Sequence, residues 1–504
     1  MPAPRGGTGW QVLLREAACH PLLMVVGAVL LLRLVTLGAY PLMDTTEARY
    51  GEIARVMVET GNYITPQEIP GTPFWAKPPL YAWLSAASIQ VLGVNEFALR
   101  LPSLLCALAV MGMCMYWAAH LVPARSAEHQ AWSATLAALF LALCPGFFAA
   151  SGAVMTDPVL TVCITAMLLA FHQAVVAADA GGPWQRIFFA AAGLGMLAKG
   201  PVIGLYAGLP IAAWIAWERR GRVAWERLPW VRGAALALLI CAPWYVLAER
   251  RTPGFLTYFL LGEHVMRFVQ PGWGGDLYGT AHAEPRGMIW AYQLGAVLLG
   301  LPLLVAALRA RRRAAPADAE RASMRLLLLA VLIPLAFFSL AGNIIWTYVL
   351  PGLGPLAVWT AHALAPRVAA SVPVRRAVLA NGIAGTAVLA LLITAWVPRH
   401  TAAHSSAGLL AQWHGPDDGA LLYVGRKAPA SLRYYSRGAV RAVPGIPQAL
   451  QAVAENEGAY IALAPDGGAA LQSAARQLPH SREAVLVERN ADLALYRLRP
   501  ARSP

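Results

Sequence analysis

Long apolar runs, separated by short segments that carry arginine, constrain the fold of this chain more than any other feature of its sequence. Of its 504 residues, 58% are hydrophobic and only 13% are charged, and the mean hydropathy is +0.53. A water-soluble protein of this length needs a larger polar surface, so the composition predicts a polytopic membrane protein. An apolar run of about 20 residues crosses the hydrocarbon core as a helix. On this basis we predict eleven spans, at 21–39, 99–121, 131–149, 158–178, 185–198, 201–217, 231–248, 288–308, 325–341, 344–364 and 376–397.

The distribution of arginine orients these spans. If the first span starts inside the cell, the arginine clusters of 218–230 and 309–324 both fall on the inner side, as the positive-inside rule requires. Topology and anionic lipid headgroups then account for the net charge of +14, and no nucleic-acid partner is needed. If 79–93 were counted as a span, both arginine clusters would fall on the outer side of the membrane. We therefore interpret 79–93 as an interfacial helix. The prediction is 11 to 13 spans in total.

Two outer loops, 40–98 and 249–287, are too long to be simple connectors, and long structured loops are usually functional. The first contains a helical pattern from Glu47 to Glu59. After residue 397 the composition changes, because strand-like and helical runs alternate from 398 to 504. This pattern predicts a membrane domain, 1–397, followed by a small α/β domain, 398–504, on the outer side. The second domain has no recognisable catalytic motif, and we interpret it as a docking or lid module.

Ionisable and aromatic residues collect on the predicted outer face. Ionisable groups at membrane depth are costly and generally face a cavity. Lysine and arginine beside lipid suit a phosphate or pyrophosphate, and a neighbouring carboxylate suits a general base. The candidate catalytic residues are Asp44, Glu47 and Asp157. The candidate substrate-binding residues are Arg49, Tyr50, Lys77, Lys199, His264, Arg267 and Tyr348. Together they predict group transfer from a lipid-phosphate donor.

Several of these residues also have a structural interpretation. The three acids lie at predicted helix starts, where each could cap the helix. Arg49 could extend to the membrane interface, and Tyr348 could anchor there. His264 follows Glu263, but a single Glu-His pair is weak evidence for a metal.

Seven motifs occur in the order TEARYGEIARVM, FWAKPPLYAW, NEFALRLPS, TDPVLT, LAKGP, EHVMRF and TYVLPGLGPLAV. This order resembles the bacterial lipid A aminoarabinose transferases and the wider protein O-mannosyltransferase-like group, which have the GT-C fold. The resemblance covers residues 20–365, and 398–504 is similar to that group's periplasmic domain. It implies a polyprenyl-phosphate sugar donor and an acceptor such as lipid A phosphate. It also implies that an acid of the first loop assists catalysis, with Arg49, Lys77 and Lys199 near the donor phosphate.

The chain departs from this family at three points. Thr46 precedes Glu47 where the family commonly has aspartate, so either Asp44 substitutes for that aspartate or Glu47 acts alone. Ala76 replaces an acid that binds a metal in close aminoarabinose transferases, which argues against a bound zinc. We therefore assign no metal ligand and no definite cofactor, and a divalent metal is kept only as an alternative. The family's lysine before the Tyr-x-Leu-Pro segment is also absent, near 343–346.

These features predict an all-α polytopic membrane protein with a small α/β domain, acting as an inverting glycosyltransferase at the periplasmic face of a bacterial inner membrane. The expected partners are the donor, an acceptor (lipid A, another glycan or a protein) and membrane lipids. An apolar groove between outer-leaflet helices would hold the polyprenyl tail. A transporter or flippase for a lipid-linked sugar is the main rival hypothesis, but it predicts charges in mid-span, and these are sparse. A protein O-glycosyltransferase and a non-catalytic scaffold are two further hypotheses compatible with the sequence.

Overall fold

The computed structural model describes residues 21–122, 126–177, 183–270, 273–278, 282, 284–311, 318–454, 459–478 and 482–500. These residues form a helical body that carries the two long loops predicted at 40–98 and 249–287 and a C-terminal five-stranded sheet. The predicted fold class is therefore confirmed.

Each predicted span overlaps a helix, although 131–149 is divided between two helices and the helix of the span 344–364 begins only at Leu350. The helices of the body are Pro21–Thr36, Thr46–Thr60, Leu80–Leu92, Glu96–Ala119, Ala127–Ala142, Pro145–Ala150, Asp157–Val176, Trp184–Lys199, Leu209–Glu218, Gly221–Arg227, Trp230–Arg251, Met288–Arg311, Asp318–Ser339, Leu350–Ala370 and Val372–Ala403. The loop 249–287 contains a helical segment that begins at Phe255 and ends at Val269. Its central part, Tyr258–Met266, has π-helical geometry. A π turn at Gly204–Gly208 and a 3₁₀ turn at Trp346–Val349 lead into two of the spans.

Six of the described helices are long and apolar enough to cross a membrane by themselves: Glu96–Ala119, Asp157–Val176, Trp230–Arg251, Met288–Arg311, Asp318–Ser339 and Val372–Ala403. The helix Leu80–Leu92 has only 13 residues. At about 1.5 Å per residue it is shorter than the hydrocarbon core, in agreement with the interfacial interpretation. The helix Val372–Ala403 runs past the domain boundary predicted at 398.

The centre of the body is built from small side chains. Every residue from 131 to 142 is buried, and most of the helix Leu350–Ala370 that packs against it is buried as well. Alanine and glycine at these positions let the helix backbones approach closely. This tightly packed centre supports the two outer loops above it.

The C-terminal domain contains a mixed sheet with the strand order β4-β3-β5-β7-β6. The strands are β3 Ala420–Val424, β4 Arg441–Val443, β5 Ala459–Leu463, β6 Arg482–Arg489 and β7 Ala494–Pro500, while β1 Gln67–Ile69 and β2 Thr72–Pro73 form a small hairpin in the first loop. Strand β3 is parallel to β4 and β5, and the pairs β5–β7 and β7–β6 are antiparallel. The domain's helices are Ala430–Tyr435, Ile446–Ala454 and Gly468–Arg476. The strand-like runs at 420–425, 459–464, 484–489 and 493–498 correspond to β3, β5, β6 and β7, and the helical runs ASLRYYS and IPQALQAVAE correspond to the first two helices. The hairpin β1–β2, strand β4 and the last helix were not predicted.

The C-terminal domain packs on the first outer loop through its helix Ala430–Tyr435, which lies against Thr46–Thr60. The Tyr435 hydroxyl accepts a hydrogen bond from the Leu42 amide at 2.7 Å and donates one to a Glu96 carboxylate oxygen at 2.8 Å. The C-terminal domain therefore holds the loop that carries five of the ten candidate residues.

Candidate functional site

Two adjoining chambers lie at the end of the body that carries the loops 40–98 and 249–287. A polar pocket of about 220 Å³ is lined by seven of the ten predicted side chains and by Phe74, Tyr278 and Asn343, among others. An apolar cavity of about 590 Å³ adjoins it. Both chambers are lined by Thr45, Thr46, Asp157, His282 and Ile345. A molecule in one chamber would therefore lie beside a molecule in the other.

The polar pocket has a buried carboxylate behind two of its cations. The Lys77 ammonium donates to Glu263 at 2.9 Å, and the Arg267 guanidinium donates to the same carboxylate at 2.9 Å. Asp276 lies 3.3 Å from the other edge of Arg267. The Glu263 side chain is 2% exposed, whereas those of Lys77 and Arg267 are about one-fifth exposed. The acid thus fixes both cations from behind while they face the pocket.

The electrostatics of this group favour an anionic ligand. Burial alone would raise the pKa of Glu263, but Lys77 and Arg267 outweigh it and lower the pKa to about 2. Burial lowers the pKa of Lys77, as do the nearby charges of Lys199 and Arg267, and Glu263 only partly offsets them. An anion in the pocket would relieve this crowding of positive charge.

A third cation enters the pocket from the end of the helix Trp184–Lys199. The chain turns sharply at Gly200, whose φ of +80° suits glycine, and Lys199 is left at the surface of the pocket. The Lys199 ammonium donates to Asp157 at 2.7 Å and lies 4.8 Å from the centre of the Tyr348 ring. Asp157 is therefore paired with a cation, and it is the carboxylate that lines both chambers in the described structure.

His264 does not line either chamber. Its ring nitrogens lie 2.7 Å from the Phe259 carbonyl oxygen and 3.3 Å from the Lys199 carbonyl oxygen. Burial lowers the pKa of His264. Its contacts hold the turn that presents Lys199, which is a positioning role rather than direct contact with a ligand.

A fourth cation connects the pocket to the C-terminal domain. Arg49 lies 3.7 Å from Glu68, which also binds Arg433 and, at 2.6 Å, Lys427. Because the two cations of the C-terminal domain neutralise Glu68, they reduce its attraction for Arg49. Beside Arg49, the ring of Tyr50 packs edge-on against Phe74 and Tyr81.

Glu47 is saturated by hydrogen bonds. Both of its carboxylate oxygens accept from Arg100, at 3.1 and 2.9 Å, and one also accepts from the Val154 amide at 3.0 Å. Arg100 is fully buried and donates in addition to the carbonyl oxygens of Leu37, Tyr40 and Pro41. This arrangement joins three segments and occupies both carboxylate oxygens of Glu47 with donors from the protein.

Asp44 faces the apolar cavity and is bound by the C-terminal domain. It accepts hydrogen bonds from the Ser431 amide at 3.0 Å and from the Ser431 hydroxyl. Burial raises the pKa of Asp44, and the hydrogen bonds from Ser431 partly oppose that rise.

The capping interpretation of the three acids does not match the structure. The helix Thr46–Thr60 has Thr45 at its N-cap, and the helix that starts at Asp157 has Thr156 there. Neither N-cap residue makes a side-chain capping bond.

Seven of the ten predicted residues line the polar pocket: Arg49, Tyr50, Lys77, Asp157, Lys199, Arg267 and Tyr348. Asp44 and Glu47 line the apolar cavity, and His264 lies behind Lys199. Sequence reasoning missed Arg33, Glu68 and Arg100. The arginine of NEFALRLPS was a signal for Arg100, since it lies in one of the seven motifs.

Among the described residues, no three His, Cys, Asp or Glu side chains are grouped to hold an ion. Ala76 contributes only its carbonyl oxygen, which accepts from the Lys77 ammonium at 2.7 Å. No step of the proposed reaction uses a metal.

Comparison with a solved structure defines the class of fold. ArnT from Cupriavidus metallidurans, solved with bound undecaprenyl phosphate, superposes with a TM-score of 0.75 at 20% sequence identity. The match covers 94% of this chain and 97% of that one. The chain therefore has the fold of a polytopic membrane glycosyltransferase.

Sequence comparisons define the family resemblance more narrowly. The family described as dolichyl-phosphate-mannose-protein mannosyltransferase matches residues 76–246. The undecaprenyl phosphate-alpha-4-amino-4-deoxy-L-arabinose arabinosyl transferase of Pseudomonas aeruginosa strain PAO1 is 31% identical over 76% of this chain and 66% of the relative. The protein of the same name from Erwinia tasmaniensis is 29% identical over 65% and 56%, respectively. The chain thus spans less than two-thirds of the length of these curated relatives. The resemblance to aminoarabinose transferases predicted from the motifs is confirmed.

Proposed function

We propose that this chain is an inverting glycosyltransferase that moves a sugar from a polyprenyl-phosphate donor to an acceptor at the periplasmic face of a bacterial inner membrane. The proposed acceptor is lipid A or another envelope glycolipid. One observation carries the proposal: four cations from four separate segments, Arg49, Lys77, Lys199 and Arg267, line one pocket beside an apolar cavity.

The four cations suit the donor phosphate. Each is held by a carboxylate, and of those carboxylates only Asp157 lines the described pocket. The pocket therefore presents an excess of positive charge that is already oriented. Such preorganised donors stabilise the negative charge that develops on a departing phosphate.

The donor tail has an apolar surface beside the pocket. Leu260, Leu261, Val265 and Val269 lie on the same segment as Arg267, and between 40% and 70% of each is exposed. Aliphatic side chains exposed next to a membrane helix suit contact with lipid. In this proposal the polyprenyl chain leaves the pocket along this segment, and the apolar cavity remains for the acceptor.

The reaction needs one bond to form and one to break. An acceptor oxygen attacks the anomeric carbon, and the bond from that carbon to the donor phosphate breaks with inversion. Polyprenyl phosphate leaves with the electron pair, and the pocket cations stabilise it. If the acceptor oxygen carries a proton, Asp157 is placed to take it, because it lines the wall between the chambers.

Arrival of the donor would also prepare Asp157. Lys199 holds this carboxylate at 2.7 Å in the present structure. A donor phosphate competes for Lys199, so Asp157 becomes free as the donor binds. Asp44 and Glu47 then position the first loop rather than react, since Ser431 and Arg100 already occupy them.

The experiment is a transfer assay with the purified full chain in lipid–detergent micelles. The donors are radiolabelled undecaprenyl-phosphate aminoarabinose and undecaprenyl-phosphate mannose, each tested with lipid A and with a periplasmic protein extract. We expect label in lipid A, a loss of about 10²-fold in Lys77→Gln, and no change in Arg222→Gln. Arg222 is a matched control because its side chain is 90% exposed and pairs only with Glu226 in the described structure.

If protein is labelled instead of lipid A, the acceptor is a protein and the activity is protein O-glycosylation. No transfer with any pair, or full activity in Lys77→Gln, would overturn it.

A further inference from the structure

Arg33 is a buried cation inside a short apolar helix, at the first predicted span, and the mechanism does not use it. It lies in the helix Pro21–Thr36, is 2% exposed and lines the apolar cavity. One guanidinium nitrogen, Nη2, donates to the Ala149 carbonyl oxygen at 3.2 Å. The other two, Nε and Nη1, have no hydrogen-bond partner among the residues that the structure describes.

Two aromatic rings and a glycine pack against the guanidinium of Arg33. The ring of Phe148 lies 5.1 Å from the guanidinium carbon, and the ring of Tyr40 lies 5.9 Å away. Gly152 packs directly against the group, so that any Cβ at this position would collide with it. The Arg33 guanidinium is therefore closely packed by its neighbours, but no carboxylate of the described residues forms an ion pair with it.

The acids of the apolar cavity have other partners. Asp44 is bound by Ser431, Glu47 by Arg100 and Asp157 by Lys199. Glu284 accepts from the Tyr292 hydroxyl at 2.8 Å. In the described structure none of them forms an ion pair with Arg33. An ionised group buried without a counterion is strongly unfavourable, and within a membrane span such a group usually marks a ligand site.

We propose that Arg33 is a second anion site, which binds the phosphate of the acceptor amphiphile in the apolar cavity. This inference rests on the proposed function, because it assigns the acceptor to the chamber that the donor phosphate does not use. The apolar lining, with Leu389, Ile393 and Trp396 from the last membrane helix, suits the hydrocarbon part of such an acceptor. Two nitrogens of the guanidinium, Nε and Nη1, are buried and have no partner in the described structure, and a turn of the side chain toward the cavity that Arg33 lines would bring them to phosphate oxygens.

The first test measures binding and needs no transfer. Dodecyl phosphate is titrated into the full chain in dodecyl maltoside micelles, and the number of bound molecules is counted by calorimetry and by native mass spectrometry. We expect two sites in the unmodified chain. Lys77→Gln should weaken one of them and Arg33→Gln the other, each by about 10-fold or more.

Two further variants separate the charge from the fold. Gly152→Ala keeps Arg33 but displaces its guanidinium, so it should weaken the same site as Arg33→Gln. Arg222→Gln removes an exposed cation that lines neither chamber, so it should keep both sites. A single site in the unmodified chain, or two unchanged sites in both Arg33→Gln and Gly152→Ala, would overturn the inference. If Arg33→Gln does not fold, the site count in Gly152→Ala and in the unmodified chain decides.

The second test is kinetic and assigns the site to the acceptor. In the transfer assay, Arg33→Gln should raise the KM for lipid A about 10-fold and leave the KM for the donor unchanged. A rise in donor KM alone would place the donor phosphate at Arg33 and overturn the inference. If the unmodified chain binds dodecyl phosphate at two sites but transfers no sugar, the proposed function fails while the anion site stands.

Discussion

Two buried ion pairs of the outer face have the same chemistry but opposite arrangements. In the Glu47–Arg100 pair the arginine is completely buried, and the acid lines the apolar cavity. In the group around Glu263 the acid is 2% exposed, and the cations Lys77 and Arg267 line the polar pocket.

Which member of each group is buried determines which member is available to a ligand. Arg100 uses its donors on Glu47 and on three backbone carbonyl oxygens, so this pair joins loop segments. Glu263 holds two cations from behind, and each keeps donors that face the pocket. A buried acid behind exposed cations forms an anion site, whereas a buried arginine whose donors are all used forms a structural clamp.

The largest expected effect comes from breaking the clamp. Arg100→Gln leaves Glu47 and the loop carbonyl oxygens without their donor, and Glu47→Gln leaves Arg100 buried without a counterion. Either change should destabilise the fold by about 3–5 kcal/mol, measured by thermal unfolding in detergent. A variant with normal stability but no transfer would contradict the structural role and return Glu47 to catalysis.

Removing a cation of the pocket should reduce transfer activity strongly and stability only slightly, the opposite of the expectation for Arg100. Lys77→Gln leaves Glu263 still bound by Arg267 at 2.9 Å, so stability should change little. Transfer should fall about 10²-fold, because one oriented donor to the phosphate is lost. The same unfolding and transfer measurements check this. If Lys77→Gln loses as much stability as Arg100→Gln, the two groups do not differ in the way described here.

The pH dependence sharpens the contrast further. Burial and the neighbouring cations lower the pKa of Lys77, so it loses its proton at a lower pH than an ordinary lysine. Since the protonated form binds the donor phosphate, the donor KM should rise as the pH increases through that lowered pKa. Lys77→Arg retains its charge and should shift the rise to higher pH. Donor KM measured from about pH 6 to 10 checks this, and identical alkaline limbs would contradict it.

The smallest effect is expected where the C-terminal domain binds the first loop. Ser431→Ala removes one hydrogen bond to Asp44 and keeps the amide bond at 3.0 Å, so the contact should weaken by about 1.5 kcal/mol. Hydrogen exchange in Thr46–Thr60 should increase, whereas Ser473→Ala, at an exposed serine, should have no effect. Equal exchange in both variants would mean that this bond does not hold the loop.

Much of the fold and most of the polar pocket could be predicted from sequence, for physical reasons. Spans follow from long apolar runs, and Lys77 and Lys199 stand out because each interrupts an apolar segment next to proline or glycine. Pairings could not be predicted, since Glu47 and Arg100 are 53 residues apart and Glu68 binds a residue 365 positions later. Arg33 was hidden inside a run that reads as an ordinary span, because hydropathy does not reveal what a side chain faces.

The most direct test of the account is equilibrium binding of undecaprenyl phosphate to the full chain in nanodiscs. The double variant Lys77→Gln/Lys199→Gln removes two of the four pocket cations, and Arg222→Gln serves as the control on the arginine-rich side. The account predicts a loss of affinity of about 100-fold or more for the double variant and none for the control. Unchanged binding by a folded double variant would contradict the claim that this pocket holds the lipid phosphate.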